Sequence, residues 1–290
     1  MANPIWAPGI NGPDQPNTAR VRDYWLGGTH NTPADHELAE HLIVCAPHLR
    51  YLVRTHRQFL RRVVRRLVGA GVRQFLDLGS GLPTARNVHE VAQDLAPESS
   101  VVYVDIDPAV AAEGQELVAD NDLVSYLCAD LCRPEEVLDS AEVRGRLDLT
   151  EPVAVLVLDV LHFVPDAAEP HKALAAYLDA CAPGSYLGLS HTCRDQGMLA
   201  AVGMFGKMYA EQPLPEFTFR YPEQVVSLLD GLEIEAPGVV PIPLWHPEPG
   251  AEQDRNPEHF QGCAALARKS QSSSGIAPIT TYEPTTAVMP

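Results

Sequence analysis

The stretch FLDLGSGLPT, Phe75 to Thr84, decides the fold. A short apolar run breaks at Gly79 and Gly81 into a turn where a ligand can approach bare main chain. Such a turn follows a strand, here RQFLDL. Downstream, short apolar runs (VVYVD, VSYLCA, PVAVLVLDV, GSYLGLS) alternate with segments of helical period (TARNVHEVAQDL, AVAAEGQELVAD, EPHKALAAYLDACAPG). Strands this apolar are buried on both faces, and helical connections impose parallel order. The expectation is an α/β, doubly wound sheet with its ligand at the carboxyl ends of the strands, beside the first turn. Two further candidate strands follow, GLEIEAPGVV and GCAALARK.

The residues around the turn constrain the ligand. A nicotinamide dinucleotide asks for a third glycine, and Thr84 stands in its place. Pro83 removes a backbone N–H that would otherwise cradle pyrophosphate. Asp77 would set a negative charge beside a negative pyrophosphate, a repulsion of the order of several kcal/mol at an effective dielectric of about 20. S-adenosylmethionine carries a sulfonium, an ammonium and no phosphate, so Asp77 becomes an attraction. Asp105 ends the second strand, 24 positions after Gly81, where an acid can accept both ribose hydroxyl protons. Asp130, in CADL after the third strand, is placed to meet an adenine amino group. Each acid also has a local reading. Asp77 can cap its turn, Asp105 or Asp107 can be an N-cap before Pro108, and Asp130 can cap a helix near RPEEVL. Three acids on three successive strand ends beside GSG favour the cofactor.

Outside this core, residues 1–16 read as irregular, punctuated by Pro4, Pro8, Gly9, Gly12, Pro13 and Pro16. Residues 17–70 read as a helical cap broken at LGGTHNTP, and residues 71–269 as the cofactor-binding domain. In the segment PHLRYLVRTHRQFLRRVVRRLVGAG, Leu49, Leu52, Val53, His56, Phe59, Leu60, Val63, Val64 and Leu67 share one helical stripe. Its arginines suit an acidic partner or, more plainly, form a solvated face that offsets an acidic body. Residues 270–290 lack the apolar pattern to fold and read as a disordered tail.

The net charge of −17 disfavours nucleic acid and anionic lipid as partners. The N-terminus shows no signal-peptide pattern, and no run approaches the roughly 18 apolar residues of a membrane span. A cytoplasmic protein is expected. The six cysteines include no CxxC pair and sit mostly in apolar segments, which reads as reduced core thiols rather than metal ligands. No metal site is expected.

With these residues in hand, the chain resembles the Rossmann-like S-adenosylmethionine-dependent methyltransferases. More narrowly, it resembles the actinobacterial S-adenosyl methyltransferase family formerly described as a domain of unknown function. The likeness runs from about Asn17 to Lys269 and rests on ARVRDYWLGGTHNTPADHELAE, FLDLGSGLPTARNVHEVAQ, VVYVDIDP, VLHFVPD and APGSYLGLSH. It implies a seven-stranded, mostly parallel sheet with the last strand antiparallel. It also implies that Asp77, Gly79 and Gly81 hold the methionine part, Asp105 the ribose and Asp130 the adenine. Ser80, Ile106 and Leu131, beside these residues, complete the cofactor-binding set. Two positions depart from the family pattern: Arg22 stands where tyrosine is more common, and His36 where arginine is.

The expected activity is methyl transfer to an unidentified small-molecule acceptor. A non-enzymatic S-adenosylmethionine-binding regulator and an NAD-dependent oxidoreductase are the alternatives. Candidates for the chemistry are Asp159 and His162, in LDVLHFV at the end of the fourth strand, and His191 in LSH at the end of the fifth. Histidine suits proton removal near neutral pH, though His162 and His191 can equally serve the scaffold. RDYWLGGTHN mixes aromatics with a Gly-Gly hinge and is expected to close as a lid, bringing Asp23 and Tyr24 towards the same cavity.

Overall fold

The computed structural model describes residues 15–84, 86–208, 216–248 and 257–270. The expected disordered tail beyond Ser270 and most of the irregular N-terminus lie outside the described residues. Three helices come first: α1 (Thr18–Leu26), α2 (Pro33–Cys45) and α3 (Leu49–Gly69). The alternating region follows as β1 (Gln74–Leu78), α4 (Val88–Gln93), β2 (Ser100–Asp105), α5 (Pro108–Leu117) and β3 (Val124–Cys128). Next come α6 (Pro134–Leu138), α7 (Ala141–Arg146), β4 (Val153–Leu158), α8 (Pro170–Ala180) and β5 (Tyr186–Thr192). The last part contains α9 (Gln196–Met208), α10 (Pro222–Ser227), β6 (Glu233–Ile234), β7 (Val240–Pro241) and β8 (Gly262–Arg268).

The sheet order is β3-β2-β1-β4-β5-β8-β6, with β7 also paired to β8. Strands β1 to β5 are mutually parallel, and β8 runs antiparallel to β5, as the antiparallel last strand requires. The strand count differs from seven. The edge strand read in GLEIEAPGVV is two short pieces, β6 and β7, both antiparallel to β8. Pro237 and Gly238 stand between them; proline cannot donate to a ladder, so pairing lapses there.

Side chains alternate along each central strand and feed two cores, one on each face. Phe75, Val101, Tyr103, Ala154 and Leu156 pack with α3, α4 and α5. Leu76, Val102, Val104, Val155 and Leu187 pack with α6, α7, α8 and α10. This two-sided burial is why the strands read as unbroken apolar runs. Helix α3 buries Leu52, Val53, His56, Phe59, Leu60, Val63, Val64 and Leu67, the stripe seen in the sequence, with Val68 beside it. Each such apolar side chain contributes about 1.5–3 kcal/mol, so a charge at fully buried Val63 would detach the helix.

Most of the basic face of α3 is satisfied rather than free. Arg62 donates to the carbonyls of Trp245 and Ile242, Arg65 pairs with Glu248, and Arg66 with Glu235. A third apolar group joins α1 and α2 to α9 through Val21, Trp25, Leu38 and Phe205. Helix α9 belongs to the long connection after β5, for which the sequence carried no reading.

Candidate active site

Thr32 and Asp35 form a capping box at the start of α2, while Asn17 caps α1. These caps also tie the segment down. Asn17 Nδ2 donates to Asp107 Oδ2 at 2.6 Å, and Arg20 Nε to Asp35 Oδ2 at 2.8 Å. Gly27, at φ 82°, ends α1 in the left-handed conformation, and the returning chain wraps around buried Asp23. Asp23 accepts from the His30 N–H, Asn31 Nδ2 and Thr84 Oγ1 at 2.7–2.8 Å. Thr84, which stands where a dinucleotide turn has glycine, thus fastens the glycine turn to the cap. Helix α1 thereby roofs the carboxyl ends of β1, β2 and β4.

Beneath it lies a cleft of about 1020 Å³, its open mouth included. Thr18, Ala19 and Arg22 form the roof. The floor is Asp77, Gly79, Ser80, Gly81, Asp105, Ile106, Asp130 and Leu131, and His56 and Arg57 of α3 form a wall. Gly79 adopts φ 68°, and a Cβ there would fall 2.2 Å from Val160 Cγ2. No other residue fits. Asp105 accepts from the N–H groups of Gly81 at 2.9 Å and Asp107 at 3.1 Å, so β2 braces the glycine turn. Asp130 accepts from the Cys132 N–H at 2.8 Å.

The acids differ in state. Burial pushes Asp77 up to about 7, with Arg57 opposing and Asp105 reinforcing the rise. Burial also raises Asp105 and Asp130. A rim of carboxyls that burial keeps from ionising freely asks for a cation. Asp159, at the end of β4 and φ 57°, behaves oppositely. Burial works against its ionisation, yet His56, Arg22 and His162 hold it well below the usual carboxylate range. Burial itself keeps His56 down to about 4 despite Asp159, so Arg22 is the charge that matters at neutral pH. Arg22 Nη1 reaches Asp159 Oδ2 at 2.5 Å, and Thr192 Oγ1 donates to Oδ1 at 2.6 Å.

The model of a family described as S-adenosyl methyltransferase matches residues 10–270. The chain belongs to that family. S-adenosylmethionine is therefore the cofactor, and the enzyme is a methyltransferase. A provisionally assigned methyltransferase of Thermobifida fusca YX is 38% identical, over 92% of this chain and 100% of that one, with a TM-score of 0.79. A DUF574 family protein of Streptomyces avermitilis MA-4680 is 36% identical, over 88% and 98%, with a TM-score of 0.80. No curated protein matches the chain.

All eight residues expected to hold the cofactor line this cleft of the methyltransferase. Of the expected chemical residues, only Asp159 does. His162 lies behind Asp159, its Nδ1 3.4 Å from Oδ1. His191 is fully buried in β5, where its Nε2 accepts from the Arg220 N–H at 3.3 Å and burial holds it at about 3. Tyr24 turns outward, stacking on His36 and donating to Glu40. Asp23 is consumed by the cap. Three residues of the site were missed or read only as packing: Arg22, His56 and Arg57. Arg57 did carry a signal. It occupies the four-three step between Val53 and Leu60, where the apolar stripe would place a hydrophobic residue.

No described helix is long and apolar enough to cross a membrane, and all six cysteines are free thiols.

Proposed function

We propose that the enzyme transfers a methyl group to a small-molecule acceptor that enters beside Asp159. The observation that carries this reading is the convergence, in one roofed cleft, of a glycine turn and acids from three successive strand ends. When bound, S-adenosylmethionine supplies an activated methyl group on a sulfonium. Asp105 would accept the ribose hydroxyls, and Asp130 the adenine amino group between Ile106 and Leu131. Asp77, Gly79, Ser80 and Gly81 would hold the methionine part.

The cleft's remaining surface, from Asp159 and Val160 to Phe163 and Val164, would face the acceptor. Asp159 is held too acidic to serve as an effective general base at neutral pH. Its proposed role is to orient a donor group of the acceptor, with His162 positioning the carboxylate from behind. Catalysis then rests on alignment and on exclusion of water by the α1 roof. The charge of −17 and the roofed cleft favour a small acceptor over nucleic acid. The free thiols suit a cytoplasmic setting.

The test is a methyl-transfer screen with isotope-labelled cofactor against metabolite pools, read by mass spectrometry. A labelled small molecule supports the proposal. Cofactor binding without any labelled product, or label only on macromolecules, contradicts it.

A further inference from the structure

Two polar atoms of the cleft wall are buried without a hydrogen-bond partner among the described residues, His56 Nε2 and Arg57 Nη1, and the first lies 3.4 Å from Asp159 Oδ1. The second, Arg57 Nη1, is sealed from solvent. On the same helix Arg62, Arg65 and Arg66 spend their guanidinium groups on carbonyls and glutamates. An unmet buried donor on a charged group is costly, and one that lines a cleft is placed to be completed by a ligand. Arg57 lines the same cleft as Asp77, close enough for mutual electrostatic influence, yet Asp77 does not bond to Nη1.

We propose that Arg57 binds the α-carboxylate of the cofactor's amino-acid tail while Asp77 faces its α-ammonium. A buried acid and a half-buried arginine whose Nη1 is sealed, both lining the cleft and not joined at Nη1, complement a zwitterion that presents one charge to each. The inference rests on the cofactor reading above and adds the residue that recognises the carboxylate. The guanidinium fork offers parallel N–H groups to both carboxylate oxygens, which lysine cannot reproduce. Arg22 is less suited to this role, because its Nη1 already holds Asp159 at 2.5 Å.

Calorimetry with two probes tests it. The first is S-adenosylhomocysteine; the second is its decarboxylated analogue, an aminopropyl thioether that keeps the ammonium and adenosine. Wild type should bind the first roughly tenfold to a hundredfold more tightly, the range of a hydrogen bond to a charged partner. Arg57→Gln should abolish that preference while leaving affinity for the decarboxylated probe within about threefold, well inside one tenfold step. Arg57→Lys should restore only part of it. Equal affinities in wild type, a comparison that needs no variant, would overturn the proposal. So would full discrimination retained by a folded Arg57→Gln protein. Failure of wild type to bind either probe would instead remove the cofactor reading, and this inference with it.

Discussion

The cleft holds two acid–arginine pairs, their acids on the neighbouring strands β1 and β4, and they are opposites. In one, Arg22 closes on Asp159 at 2.5 Å, and the carboxyl lies well below its usual range. In the other, Arg57 and Asp77 face the same space, Nη1 is unpartnered, and the carboxyl is raised to about 7. The same two residue types thus make a latch where they touch and a ligand site where they do not. Arg22 is delivered by α1, so its contact also fastens the roof. Arg57 comes from α3, whose long buried stripe fixes it whether or not a ligand is present.

The largest expected effect lies on the open side of the cleft. Asp105→Ala should lose two ribose hydrogen bonds to a charged acceptor, about 1.5–3 kcal/mol each, or roughly a hundredfold to ten-thousandfold in affinity for S-adenosylhomocysteine. Calorimetry showing wild-type affinity would remove Asp105 from the site.

Stability should separate the two pairs next. Arg22→Ala strands a buried carboxylate; because the arginine is partly exposed, the expected cost is about 2 kcal/mol rather than the full buried-pair penalty. Arg57→Gln removes a donor that nothing satisfies in the free protein, so unfolding should stay within about 0.5 kcal/mol of wild type or improve. Denaturant melts in which Arg57→Gln proves the more damaging would break the comparison.

The pairs should also respond to pH with opposite signs. Asp77 binds its proton more tightly folded than unfolded, so its contribution to stability grows as pH falls from above about 7 towards 3.8. Asp159 is depressed, so its contribution is present above the ordinary value of 3.8 and is lost as pH falls below it. Asp77→Asn should therefore flatten the stability profile between about pH 4 and 7, and Asp159→Asn the acid limb below it. An unchanged profile in Asp77→Asn would mean that its carboxyl titrates normally.

The smallest effect is expected at His162, which lies behind Asp159 and Phe163 and does not itself line the cleft. His162→Ala should slow turnover about tenfold on the identified acceptor and leave cofactor affinity unchanged. Wild-type turnover would assign His162 to scaffolding.

Much of this was legible in the residues because buried parallel strands cannot hide. Five apolar runs, five strand ends and the turn at Gly79 follow from composition and period alone. The edge strand was harder, since Pro237 and Gly238 split it into pieces too short for any pattern. The chemistry was harder still. Asp159, His162 and His191 sit one after another at strand ends, but whether such a side chain meets the cleft depends on its turn. Val160 to Phe163 coil into a short 3-10 turn that sends Phe163 inward and His162 behind. Arg57 sat among six other arginines of one helix, and only its place in the apolar stripe set it apart. The pairing of Arg22 with Asp159 spans 137 positions, and nothing local announces it.

The most direct test of the account is a crystal structure of the enzyme with S-adenosylhomocysteine. The account predicts the ribose hydroxyls on Asp105 and the amino-acid tail between Asp77 and Arg57, with Arg22 still bound to Asp159. A tail carboxylate bound to Arg22 instead, with Asp159 released and Arg57 left unpartnered, would contradict it.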